Sequence, residues 1–284
     1  MAIAIVGMAA CNRRDAPPTH PPAGEDDSFA PSQTPLLAAV LPATLSFPSL
    51  TTKPSAPAAC PDGMILVEGN YCPEVEQRCL KYMDPPGRYE FFRCAEYAQP
   101  SRCLAPRKKL RFCMDRSEYA RPGETLPAND QSWTDGDRTC RSIGKRMCME
   151  SEYNFACEGE EMRPYPYGFK RDESACNADH TDVVTEEGKL RDMRVSADEY
   201  PRCESPFGVK HLAGNLEEFV SIDGSSPIRP AMKGAYWQPS RNHCRAAQTA
   251  HDRYYRGMET GFRCCGDVPS DPAADGRTSQ HSSS

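Results

Sequence analysis

The sequence predicts an α+β domain with little regular secondary structure, held together by disulfide bonds. Three observations lead there. The 284-residue chain carries 15 cysteines, a number that reducing compartments rarely tolerate outside metal sites. None of them are spaced C-x-x-C, so zinc ribbons and thioredoxin-like motifs lack their signature. The segments with strand or helix periodicity are short and separated by Pro- and Gly-rich stretches. The formal net charge of −6 argues against a nucleic-acid partner, which would call for a basic stripe. The patch Lys108-Lys109-Leu110-Arg111 is too small to supply one.

Taken in order, residues 1–11 are apolar or small and end Met8-Ala9-Ala10-Cys11. They read as a truncated bacterial lipoprotein signal with Cys11 as the lipidated residue, although no basic n-region precedes the run. If Cys11 carries lipid, the 14 remaining cysteines can pair completely. Residues 12–59 are rich in Pro, Ala, Ser and Thr and read as a disordered tether, because they cannot bury enough apolar surface to offset ordering entropy. Residues 60–266 hold every Trp and Tyr and read as one domain. Residues 267–284 read as a disordered polar tail. No stretch approaches the roughly 18 apolar residues of a membrane span. The only membrane contact expected is the lipid anchor.

Within the domain, Met64-Ile65-Leu66-Val67 before Glu68-Gly69-Asn70 predicts a short strand into a turn. Residues 72–106 read as an insert stapled by Cys72, Cys79, Cys94 and Cys103. Ser132 is an N-cap candidate for a helix running toward a glycine stop at Gly144. Glu150–Cys157 predicts a second helix, with Tyr153, Ala156 and Cys157 on one buried face. Gly261-Phe262-Arg263-Cys264-Cys265 predicts a closing strand, its adjacent cysteines serving two different bridges.

The order of segments resembles the formylglycine-generating enzyme (sulfatase-modifying factor) family. The matching pieces include Gly63–Gly69, Phe112–Tyr119, Gln131–Asp135, Gly144–Tyr153, Tyr165–Gly168 and Cys176-Asn177. They continue with Phe207–Phe219, Lys233–Trp237 and Gly261–Cys264. The resemblance implies the family's compact, C-type-lectin-like fold and structural calcium. It places calcium at the Ala213–Glu218 loop, with Gly214, Asn215, Leu216 and Glu218 as ligands. Side-chain and carbonyl oxygens so closely spaced suit a hard cation. It also places Asn177 at the start of a second calcium loop, with Asp179 and Asp182 as candidate partners. It pairs Cys157 with Cys264. Cys148 stands where the family usually has Pro, with Cys113 and Cys244 as candidate partners.

The resemblance does not carry over the chemistry. Family oxidases bind copper(I) through two thiolates spaced C-x4-C, and soft thiolates suit that ion. Residues 234–243 read Gly-Ala-Tyr-Trp-Gln-Pro-Ser-Arg-Asn-His, without cysteine. Copper is therefore not expected, and no catalytic residue is assigned. Tyr236, Trp237 and His243 are the candidate lining of a ligand groove. A family branch using non-haem iron carries its histidines on a helical bundle that residues 12–59 are too short to supply.

The expected protein is an exported, monomeric lipoprotein of the cell envelope, on the outer membrane or facing the periplasm. It is expected to bind a peptide or glycan without catalysis. The alternative is a metal-dependent oxidase of the formylglycine-generating type, or a peptide-modifying relative with an altered site.

Overall fold

The computed structural model describes residues 59–269. The expected signal with Cys11, the segment up to residue 58 and the tail from residue 270 lie outside them. The chain order begins β1 (Met64–Tyr71), β2 (Val75–Glu76), β3 (Cys79–Tyr82), β4 (Cys94–Tyr97), β5 (Arg102–Cys103) and β6 (Lys108–Asp115). It continues α1 (Trp133–Ser142), β7 (Arg146–Met147), α2 (Glu150–Glu158), β8 (Glu217–Ser221), β9 (Pro230–Lys233), β10 (Ala247–Gln248), β11 (Thr260–Phe262) and β12 (Cys264–Asp267). No helix among the described residues is long and apolar enough to cross a membrane.

Two four-stranded sheets form the frame. One has the order β1-β6-β12-β7, the other β10-β9-β8-β11. The first is antiparallel, and β11 runs parallel to β8 in the second. The long β1–β6 pair runs in unbroken register from Met64↔Asp115 to Tyr71↔Lys108. The predicted strand at Met64–Val67 is therefore its first half. The predicted closing strand is two strands, because the chain changes sheets at Arg263.

Helix α1 begins where the sequence places its cap. The Ser132 hydroxyl accepts the Asp135 N–H, and the Asp135 carboxylate accepts the Ser132 N–H (3.1 Å). This reciprocal box satisfies two donors that the first turn leaves open. Trp133, Gly136 and Cys140 face inward. Helix α2 departs from expectation. Every residue from Glu152 to Glu158 is buried, not one face alone. The two charged members are tolerated because each is paired with an arginine. Glu152 accepts two hydrogen bonds from Arg146 (2.7 and 2.8 Å), and Glu158 two from Arg245 (2.6 and 2.8 Å).

The 14 described cysteines form seven disulfides. Cys72–Cys103 and Cys79–Cys94 staple the insert as expected, closing β2 on β5 and β3 on β4. Cys264 and Cys265 do serve two bridges, to Cys140 and Cys148. The remaining bridges are Cys60–Cys113, Cys157–Cys244 and Cys176–Cys203.

Two expected pairings are corrected. Cys157 bonds Cys244, not Cys264. Cys148 bonds Cys265, not Cys113 or Cys244. The reason is strand alternation, which sends neighbouring side chains to opposite faces. Cys264 faces the cluster of Trp133, Cys140, Met147 and Phe262 under α1. Cys265 faces the main core, with Cys148, Phe155, Cys157 and Cys244.

Candidate functional site

The segment after β9 corresponds to the expected ligand groove. Gly234 starts it with φ +81, and a Cβ there would lie 2.7 Å from the Tyr153 hydroxyl. Only glycine suits both the left-handed backbone and that close approach. Asn242 then organises the loop. Its Nδ2 donates to the Tyr236 carbonyl (3.1 Å), and its Oδ1 accepts the Ser240 N–H (3.0 Å). Arg171 donates to the Ser240 carbonyl (2.9 Å) and to Asn242 Oδ1 (3.1 Å) while holding Asp179. The loop is thus a hydrogen-bonded structure that ends at the Cys157–Cys244 bridge.

The three groove residues do not line one open surface. Trp237 is fully buried, as a core side chain, and cannot meet a ligand. His243 has its Nδ1 buried, and burial with the nearby Arg241, Lys233 and Arg171 charges depresses its pKa to about 3. It is a neutral, largely enclosed ring. Tyr236 is half-buried. Burial, Glu259 and Glu217 push its hydroxyl up to about 12.

Glu217 opens β8 beside the Asn215 loop. Burial first, then the Glu259 carboxylate, raises its pKa to about 7. An unfolded glutamate titrates near 4.3. A carboxyl whose folded pKa is raised contributes stability below the unfolded pKa and loses it as pH rises through the folded one. Glu217→Gln is therefore expected to match the parent near pH 4.5. At pH 8 it should be more stable by at least about 1 kcal/mol. Urea titrations at the two pH values check this, and a constant difference would contradict it.

The residues expected to bind calcium converge, but on each other. Asn215 Oδ1 accepts from Asn177 Nδ2 (2.9 Å) and from the Val195 N–H (2.9 Å). Asn215 Nδ2 donates to Glu118 Oε2 (2.7 Å), whose other oxygen accepts the Leu216 N–H (3.0 Å). Asn177 Oδ1 meets His180 Nε2 at 2.9 Å. Glu218 is fully buried and gives both oxygens to Arg263, at 2.7 Å each. Gly214, at φ +80, brings its backbone against the Asn177 carbonyl, which leaves no room for a Cβ. Asp179 is taken by Arg171, and Asp182 is exposed and paired with Arg191 (3.5 Å).

This donor set does not fit a calcium ion. The side-chain oxygens of Asn215 and Glu218 are spent on N–H groups, and the Arg263 guanidinium occupies the cationic role beside Glu218. Chelation with EDTA is accordingly expected to leave the melting temperature unchanged. A rise of several degrees on adding calcium would overturn that reading.

Copper(I) fits no better, because Cys244 is oxidised in its bridge and has no neighbouring thiolate. Glu118 and Arg263 are two of the buried charges that motif reading left unassigned, alongside Glu152, Glu158 and Lys233. A signal was present for the second: Arg263 is a lone charge inside the apolar run Gly261–Cys265. Burial and the neighbouring Glu218 raise the pKa of Glu118. One guanidinium thus faces two carboxyls in the core.

The open surface lies elsewhere. A cleft of about 1060 Å³ is lined by Gln99, Arg163, Phe169, Lys170, Arg202 and Glu204, among others. It shares Gln99 and Phe169 with a second cleft of about 570 Å³ that includes Pro100, Ser101, Arg107 and Met162. The two clefts adjoin at Gln99 and Phe169, between the stapled insert and the loops after α2. Their charges are mixed. Arg202 pairs with Asp172 and Arg163 with Glu161 along the rim.

Comparison with known proteins bears on this architecture. No curated protein matches the chain. Among solved structures, CarF aligns at 11% identity and a TM-score of 0.45, covering 74% of this chain and 99% of its own. PvdO from Pseudomonas aeruginosa aligns at 16% and 0.44, covering 74% and 96%. Treponema denticola variable protein 1 aligns at 10% and 0.39, covering 72% and 99%. A family model, the sulfatase-modifying factor enzyme 1-like domain, matches residues 89–268, well over half of the chain. With two helices, short strands and loops, and seven disulfides among the described residues, the chain belongs to the sulfatase-modifying factor enzyme 1-like domain family.

Proposed function

We propose that this chain is a non-catalytic binding member of its family, which holds a peptide or glycan at the cell envelope. The observation that carries the reading is the Cys157–Cys244 bridge. It consumes the cysteine nearest the family's copper segment and leaves that segment without a thiolate. The seven bridges favour an oxidising compartment outside the cytosol. The lipid anchor at Cys11 belongs to the same proposal.

The ligand site in this reading is the groove along Gln99 and Phe169, not the buried Trp237. A polar cleft with an apolar point suits an extended chain, whose polar groups find partners along the rim and whose side chains find Phe169. Screening the purified protein against a short-peptide library and an immobilised glycan panel tests this. The expected result is a binder whose affinity falls at least about tenfold in Phe169→Ala, the loss of one aromatic anchor. Stoichiometric copper(I) uptake with oxygen consumption on a cysteine-containing peptide would overturn the non-catalytic reading. A binder unaffected by Phe169→Ala would overturn the placement of the site.

A further inference from the structure

The insert exposes an apolar tip that the groove does not use. Leu80, Tyr82, Tyr89, Phe91 and Phe92 all lie in the loop closed by Cys79–Cys94. Phe91 is 69% exposed and Tyr89 60%. The rings are organised, with Tyr82 and Phe91 meeting edge to face at 4.9 Å and Tyr89 and Phe92 at 6.0 Å. Two guanidiniums flank them, Arg88 5.3 Å from the Tyr89 ring centre and Arg241 5.5 Å from that of Phe92.

The charge balance around the tip is net positive, with Lys81, Arg88 and Arg241 outside any ion pair among the described residues against the single unpaired carboxylate of Glu90. The tip's other carboxylate, Asp84, is neutralised by Arg93 (2.7 Å), and Asp179 behind it by Arg171. Glu90 is turned back on the loop's own backbone, accepting the Gly87 N–H (3.2 Å). The surface thus offers exposed rings beside uncompensated cations.

None of these five apolar residues lines either of the two clefts that form the candidate ligand site. A small ligand is bound in a concavity, whereas this tip is a stapled turn. Part of it also lies before residue 89, where the family match begins. Aromatic rings with flanking Arg and Lys match the interfacial layer of a bilayer, where the rings sit at headgroup depth and the cations meet anionic lipid.

We infer that the 79–94 tip docks on the surface of an anionic lipid bilayer. This contact is separate from any acyl anchor, and it is independent of the groove assigned above. It orients the domain by seating Tyr89, Phe91 and Phe92 in the interface.

The test uses the full chain carrying Cys11→Ser, so that no acyl chain contributes. Flotation is measured with vesicles of phosphatidylglycerol and phosphatidylethanolamine, and with phosphatidylcholine vesicles as the uncharged arm. The expected result is binding to the anionic vesicles that weakens with salt. Arg88→Glu and Phe91→Ser should each reduce it by at least about fivefold. Both positions are exposed, so melting temperatures should stay at the parent value. A Phe91→Trp variant gives a positive signal, its emission shifting to shorter wavelength on the anionic vesicles. The inference is overturned by absence of flotation, or by flotation and emission that these substitutions leave unchanged. A soluble protein or glycan captured through Phe91 without vesicle binding overturns it equally.

Discussion

Replacing Cys157 and Cys244 together by alanine is expected to lower unfolding stability by about 4–5 kcal/mol. The bridge closes a loop of 87 residues, and the chain-entropy cost it removes from the unfolded state grows with loop length. Both cysteines are fully buried in the main core beside Phe155 and Leu212, so the substitution also loses packing there. The bridge joins the end of α2 to the loop that carries Tyr236 and Asn242. Its loss should therefore loosen that loop before the sheets. Urea denaturation measures the global effect, and amide exchange at residues 236–244 the local one. The control is the Cys79–Cys94 pair, which closes 15 residues and should cost about 3 kcal/mol, confined to the insert. Equal global losses for both pairs would contradict the assignment of Cys157–Cys244 as the core bridge.

Arg263→Met is expected to cost about 3–5 kcal/mol, because it leaves Glu218 as an unpaired charge in the core. Both side chains are essentially unexposed, and the two short hydrogen bonds between them are reinforced by Arg263 donating to the Lys210 carbonyl (3.0 Å). Removing the guanidinium also strands Glu118, whose carboxyl is already raised by burial and by Glu218. The sign of the pH dependence follows. With the cation gone, both folded carboxyls titrate above their unfolded value, so stability is lost as pH rises through the folded range. The gap between the parent and Arg263→Met should widen from pH 5 to pH 8. The Glu218→Gln, Arg263→Met double variant should recover part of the loss. Thermal and urea unfolding of the parent, Glu218→Gln, Arg263→Met and the double variant form the cycle, and strict additivity would show that the pair is not coupled.

Much of this protein is legible in local chemistry. The capping box of α1 needs only Ser132 and Asp135 three residues apart. The extended start of β1 needs only its run of Met, Ile, Leu and Val. The stapled insert follows from four cysteines among turn residues, and the two bridges from Cys264 and Cys265 follow from strand alternation. The order of short motifs from Gly63 to Cys264 carried the family, because those motifs are local in sequence.

What the sequence by itself determined, then, is the fold class, the family, the oxidised cysteines and the missing copper thiolates. The tertiary structure alone decided the rest. Which cysteine meets Cys157 depends on the face that β12 turns toward α2, and that is set by sheet order. Whether Asn215 and Glu218 face an ion or their neighbours depends on Arg263, which lies 45 residues from Glu218 along the chain. Trp237 looked like a groove residue and proved to be core, since exposure is a property of what packs over a side chain. The physical reason is common to all three. Local propensity and spacing act over a few residues, whereas burial and charge pairing are fixed by contacts between segments far apart in sequence.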